Sequence, residues 1–243
     1  MQPPDASFDG LLLVDKPAGW TSHDVVARVR NRFHLRKIGH GGTLDPAATG
    51  LLVLLLGRAT RISDRVMGHD KTYEGVLRLG TTTTTQDAEG EPVAVAPPEA
   101  VAAVTEDAVR RAFADRIGDQ YQTPPMVSAI RIGGVHLYAM ARRGEEIERP
   151  ARLIHVYSLD LLSFSPPDAS FRVECTKGTY VRTLAHDIGA ALGPGGHLAA
   201  LRRTRVGPFD LSEAIPLDAL LALPTPASRL LPLPDALARL ATP

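Results

Sequence analysis

The stretch Gly39-His40-Gly41-Gly42-Thr43-Leu44-Asp45-Pro46-Ala47-Ala48-Thr49-Gly50 runs directly into Leu51-Leu52-Val53-Leu54-Leu55-Leu56, and the rest of the chain is read outward from it. The second part is wholly apolar, too short for a buried helix and ended by Gly57, so it predicts a central strand. The first part is a glycine-rich loop with one histidine and one acid. Its glycines permit positive φ angles and close approach of a ligand. Asp45 is the only acid between Asp24 and Asp64, and a lone carboxylate in a loop pinned between buried segments is a candidate for chemistry. The same spacing has a structural reading. Asp before Pro also starts helices, with Asp as N-cap and Pro at the first helical position, and from spacing alone that reading leads.

Upstream, residues 10–15 predict a short buried strand that ends at Lys16-Pro17, with a turn through Gly19. Thr21 or Ser22 caps a helix with Val25, Val26 and Val29 on its apolar face and Arg28, Arg32 and Arg36 along another. Downstream, 59–67 reads as helical and 72–79 as a strand with Tyr73, Gly75, Leu77 and Leu79 on one side. A threonine-rich loop (81–85) and a proline-marked connection (92–98) follow. Residues 106–117 predict an amphipathic helix with Val109, Ala112, Phe113 and Ile117 inward. Gly133-Gly134 signals a hairpin, ahead of a short helix with Leu137, Tyr138 and Met140. Two further strands lie around Pro166-Pro167, and a turn at Lys177-Gly178-Thr179 leads into a helix over 180–192. Residues 198–205 are helix or strand. Beyond Pro216 short helices are expected.

With 243 residues the chain can bury a large core as one domain or two smaller ones. Its single cysteine, Cys175, rules out an internal disulfide and a multi-cysteine metal site, and fits a reducing, cytoplasmic setting. Cys175 alternates with Val173 and Phe171 and reads as a buried strand residue. No basic segment precedes a long apolar run, and no apolar run reaches membrane-spanning length, so neither a signal peptide nor a membrane partner is expected. The net charge is zero, but the basic residues cluster: Arg28 to Lys37, then Arg58, Arg61 and Arg65, then Arg142 and Arg143, then Arg202, Arg203 and Arg205. Each cluster is either a solvated face or a phosphate-binding one. The histidines lack metal-ligand spacing. No phosphate loop occurs, and Leu44 breaks the dinucleotide pattern. Asp45, Tyr73 and the segment Lys177-Gly178-Thr179-Tyr180-Val181-Arg182 are left. Arg182 stands at a helix start, where a cation is disfavoured by the helix dipole and calls for a carboxylate partner.

Six ordered motifs carry a resemblance: residues 10–17, Gly39 to Pro46, Lys71-Thr72-Tyr73-Glu74-Gly75, Leu79-Gly80 with Thr83, Thr85 and Asp87, Pro124-Pro125 with Ser128-Ala129, and Lys177 to Thr183. Together the chain resembles the TruB family of tRNA pseudouridine synthases. The resemblance implies a mixed α/β (α+β) pseudouridine synthase fold with a largely antiparallel central sheet, and an isomerase that acts on uridine 55 in the T loop of tRNA. It implies Asp45 as nucleophile, at the sugar C1′ or at C6 of the base; Arg182 as the arginine that pairs with it; and Tyr73 as the tyrosine under the target base. Tyr180 and Leu201 match pocket-lining positions, Lys16 a supporting lysine, and His40 the histidine that fills the space of the flipped nucleotide. No metal and no cofactor are implied, and a monomer is the working expectation. The catalytic domain would span 9–215, with 106–149 an insertion that grips the T-arm, and 216–243 a short tail in place of a full PUA-type domain. Val127 departs from the aromatic residue common before Ser128-Ala129. Two rivals are a nucleoside or glycoside hydrolase using Asp45, which usually needs a second carboxylate, here Asp15 or Asp87, and a non-enzymatic RNA-binding or folding module.

Overall fold

Strand β1 (Gly10–Lys16) runs antiparallel to the apolar run, in register Leu11 to Leu55, Leu13 to Val53 and Asp15 to Leu51. Because side chains alternate across a strand, one face carries Leu11, Leu13, Leu51, Val53 and Leu55 and the other Leu12, Leu52 and Leu54. All eight are buried. The first face packs with Ala59, Val66, Val206, Phe209, Ala236 and Leu240. Each fully buried leucine is worth about 1.5–3 kcal/mol over an exposed one, so this pair of strands anchors its surroundings.

The computed structural model describes residues 8–125, 131–132, 135–136 and 147–241. After β1 the strands in chain order are β2 (Ile38–His40), β3 (Thr49–Leu56), β4 (Lys71–Leu79), β5 (Thr81–Thr83), β6 (Pro92–Val95), β7 (Gly118–Gln122), β8 (Arg131–Ile132), β9 (Val135–His136), β10 (Arg152–Ser165), β11 (Asp168–Cys175), β12 (Gly196–Val206), β13 (Phe209–Asp210), β14 (Ile215–Pro216) and β15 (Leu231–Pro232). The chain divides into two compact units, one made of Met1–Tyr73 with Leu201–Pro243 and the other of Glu74–Ala200. It passes between them inside β4 and again inside β12.

In the discontinuous unit the strand order is β14-β1-β3-β12, with β2 on β3, β15 on β1 and β13 on β12. Here the expected, largely antiparallel sheet needs correction, because β1 pairs with β14 and β3 with β12 in parallel. Hairpin connections force antiparallel pairing, but long connections leave direction free. Such a connection separates Thr49 and Gly50 from their β12 partners Arg202 and Arg203. The fold is therefore mixed α/β with a mixed sheet. The helix Ser22–Phe33 forms with the expected apolar face but ends at His34, which is left-handed, so Arg36, expected along its other face, lies beyond it. Thr21 caps it in a reciprocal box with Asp24, and it buries Val25, Val26, Val29 and Phe33. Residues 59–67 are a 3-10 turn (Gly57–Ile62) followed by a short α-helix (Ser63–Met67). The C-terminal segment forms the helices Leu217–Ala222 and Leu233–Ala241 together with β14 and β15, which pair with β1.

In the contiguous unit the order is β4-β11-β10-β7, with β5 paired to β6. β4 alternates buried and half-buried residues as expected. On β11, Phe171, Val173 and Cys175 are buried. Phe171 meets Phe113 of the helix Glu106–Ala114 edge to face at 6.0 Å. That helix stops short of its expected end, so Ile117 is exposed rather than inward. The stretch 92–98 contains a strand, β6, with Pro92 at its first position, where the missing N–H costs no ladder bond. Residues 198–205 resolve as strand. β8 and β9 pair antiparallel; Gly133-Gly134, Val127, Ser128-Ala129 and the expected helix with Leu137, Tyr138 and Met140 lie outside the described residues.

Candidate active site

No helix starts at Asp45. The Ala48 amide donates to the Asp45 carbonyl at 3.1 Å and β3 begins at Thr49, so the segment is a turn and the capping reading falls. Three sets of bonds fix this turn from β1 and the helix that follows it. The Lys16 side chain, 0% exposed, donates from Nζ to the carbonyls of Pro17 (2.9 Å), Trp20 (2.6 Å) and Pro46 (3.0 Å). The Gly19 amide also donates to the Pro46 carbonyl, at 2.9 Å. The Ser22 hydroxyl accepts from the Leu44 amide at 2.8 Å and donates to the Leu44 carbonyl at 3.2 Å. Asp45 is half-buried between these clamps. Gly50, at φ 97°, is required where the loop joins β3, because a Cβ there would sit 2.3 Å from the Arg203 carbonyl oxygen.

The far side of the loop is held by an arginine. Arg203, on β12 and 1% exposed, donates from Nε to the Leu51 carbonyl (2.8 Å), from Nη1 to that of Thr43 (3.2 Å) and from Nη2 to that of Gly42 (3.1 Å). The Tyr73 side chain acts on it as well. Burial pushes its pKa down and Tyr73 pulls it back up; guanidinium starts high enough to stay charged. His40 ends β2, opposite Leu54 of β3. Burial is the main cause of its lowered pKa, followed by the charges of Arg203 and His23, so its ring is neutral near pH 7. Its Nδ1 faces the Gly42 amide at 3.4 Å. Leu201 sits on β12 with its carbonyl 3.4 Å from the Thr49 hydroxyl. Lys16, His40, Asp45, Tyr73 and Leu201 thus all belong to the discontinuous unit.

Tyr180 and Arg182 belong to the contiguous unit. The Tyr180 amide donates to Gln122 Oε1 at 2.7 Å and its carbonyl accepts from Gln122 Nε2 at 3.0 Å, which sets the start of the helix Val181–Leu192. Arg182 is buried, with Nη1 3.1 Å from the Thr85 carbonyl and 3.5 Å from Asp87 Oδ2. This is the carboxylate that a cation at a helix start calls for. Asp87 is itself held: its Oδ1 accepts from the Thr85 hydroxyl and the Glu89 amide, and its carbonyl accepts from the Thr83 hydroxyl. The threonine-rich loop thus serves as a mount for Asp87.

A family model described as TruB family pseudouridylate synthase, N-terminal domain, matches residues 30–181, and one for the tRNA pseudouridylate synthase B C-terminal domain matches 182–237. The tRNA pseudouridine synthase B of Opitutus terrae is 54% identical over 231 residues, which are 94% of this chain and 95% of that protein. The chain belongs to the TruB family of pseudouridylate synthases. The TruB relative from Leifsonia xyli is 51% identical over 93% of this chain and 75% of its own length. Among solved structures, a crystal structure of a Cbf5-Nop10-Gar1 complex contains a chain 33% identical, with a TM-score of 0.70 over 90% of this chain. This chain spans 56% of that one.

The parts that two residues play in the structure stayed hidden in the sequence. Asp87 stood in the fourth motif and as a possible second acid, but nothing marked it as the partner that Arg182 at a helix start asked for. Arg203 was grouped with Arg202 and Arg205 as a solvated or phosphate-binding cluster. The structure splits that cluster: Arg202 pairs with Asp15 at 2.7 Å, Arg203 is interior and Arg205 is exposed. Strand alternation would have separated Arg202 from Arg203, had 198–205 been assigned as a strand; it puts Arg205 on the Arg203 side, and the exposure of Arg205 does not follow from it. Among the described residues no cluster of His, Cys, Asp and Glu is placed to hold a metal ion, and no helix is long and apolar enough to cross a membrane.

Proposed function

We propose that this TruB-family enzyme converts uridine 55 of the tRNA T loop into pseudouridine, with Asp45 as its nucleophile. The observation that carries the reading is the 54% identity, over nearly the full length of both chains, to a protein named tRNA pseudouridine synthase B. The reaction is an isomerisation. The C1′–N1 bond breaks, the base turns, a C1′–C5 bond forms, C5 gives up its proton and N1 gains one. Nothing is oxidised and no group leaves, so the chemistry calls for no cofactor. A carboxylate that adds and departs, at C1′ or at C6, divides one difficult step into easier ones. In this reading Tyr73 lies under the base and serves the proton transfer. Arg182, fixed by Asp87, is the cation assigned to the Asp45 carboxylate. Tyr180 and Leu201 line the pocket, Lys16 holds the Asp45 turn in place, and neutral His40 occupies the space the flipped nucleotide leaves.

Residues 106–149 are assigned to gripping the T-arm, within a catalytic domain of 9–215, and 216–243 act as a tail. A reducing cytoplasmic setting and a monomer complete the proposal. The deciding experiment is incubation with a T-arm RNA hairpin, followed by digestion and nucleoside analysis. Pseudouridine is the expected product. Free uracil would make the chain a hydrolase, and unchanged uridine with retained binding would make it an RNA-binding module.

A further inference from the structure

We propose that Arg203 is a positioning residue for the isomerisation, joining the Tyr73 ring and the Asp45 loop into one rigid piece; this rests on the function proposed above. The guanidinium reaches three of the candidate residues in different ways. Two of its nitrogens hold the carbonyls of Gly42 and Thr43, just ahead of Asp45, and its charge acts on Tyr73 and on His40. Its remaining bond, to the Leu51 carbonyl, pins the same group to the residue where the apolar run of β3 begins. Taking a charge fully out of water is costly, and the three carbonyl bonds offset that cost. A planar fork suits the place, because a guanidinium can address three carbonyls from one fixed plane and so hold the loop ahead of Asp45 in one geometry.

The test is a double-mutant cycle in single turnover on a T-arm RNA, with the RNA Kd measured in parallel. Arg203→Lys keeps the charge and loses the fork, and Tyr73→Phe keeps the ring and loses the hydroxyl. Arg203→Lys is expected to slow the single-turnover rate about 100-fold while Kd stays within about threefold, and to slow the Tyr73→Phe enzyme no more than about tenfold. As a readout apart from activity, the His40 imidazole in Arg203→Gln should titrate at higher pH, measured by NMR. Losses from Arg203→Lys that agree within about threefold in the two backgrounds would overturn the proposal. So would a Kd that weakens as much as the rate falls, an unmoved His40 titration, or failure of both Arg203→Lys and Arg203→Gln to fold. An unmodified chain that forms no pseudouridine would instead overturn the underlying reading of function.

Discussion

Arg202 and Arg203 are neighbours in the chain with opposite surroundings, and strand alternation is the reason. The same alternation made Tyr73 and Cys175 legible in advance, because their strands had clean periods, whereas β12 offered Leu201-Arg202-Arg203-Thr204-Arg205, a run with no apolar period. Asp45 stood out as a lone acid, yet its spacing favoured a helix cap, and only the ordered motifs of the resemblance turned that reading round. At this scale Asp45→Asn is expected to abolish pseudouridine formation in single turnover while RNA affinity holds within about twofold, since the amide keeps the shape and loses the nucleophile. Product formation by the variant at anything near the native rate would remove Asp45 from the chemistry. His40 gives a pH prediction. Its folded pKa lies below the ordinary 6.5, chiefly through burial, so below that value the unfolded chain takes up a proton the folded one resists. Its contribution to stability is whole above about pH 6.5 and is lost as the pH falls toward the folded pKa. Urea midpoints should therefore drop between pH 7.5 and 5.5, and drop less in His40→Gln. An identical drop in the variant would assign the pH effect to other groups.

Among the elements, the helix Ser22–Phe33 shows how a surface pattern misleads. Arg28, Arg32 and Arg36 have the spacing of one helix face and read as a phosphate track, but the helix ends before Arg36, and Arg32 donates to the carbonyls of Leu221 (2.7 Å) and Leu223 (2.6 Å). Those carbonyls lie at the C-terminal end of the helix Leu217–Ala222, where the last carbonyls have no partner within the helix. Arg32 acts as a cap supplied from nearly two hundred residues away, a role that local spacing cannot announce. Arg32→Ala is expected to lower unfolding free energy by about 1 kcal/mol, near the low end for charge-assisted bonds because the site is exposed. The RNA Kd and its salt slope should stay unchanged. A salt slope flatter by about one charge equivalent would return Arg32 to phosphate binding. The segment 81–91 makes the complementary case: five threonines in a row look like a loop, but the first three form β5, and the bonds from Thr83 and Thr85 to Asp87 give two of the five a task.

For the whole molecule, mixed α/β character was legible from strand and helix periods, but strand direction was not, because a long connection carries no turn signal to fix it. The sequence beyond Pro216 was read as short helices, and the two-residue strand it adds to β1, β15, is too brief to show a period. If recognition rests on the T-arm, a T-arm hairpin and a full tRNA should be modified with similar catalytic efficiency at one salt concentration. A preference for the full tRNA beyond about tenfold, or 1.4 kcal/mol of transition-state binding, would place recognition on further surfaces. The discontinuous unit has a consequence for synthesis. Leu11 and Leu13 pack with Ala236 and Leu240, so residues made more than two hundred positions apart share one core. At roughly 5–20 residues per second, the intervening stretch takes about ten to forty seconds to make. Through that wait β1 and β3 have no finished partner for their apolar face, while Glu74–Ala200 is already complete. The nascent chain is therefore expected to present this apolar strand pair to ribosome-associated holdases until the helix Leu233–Ala241 emerges.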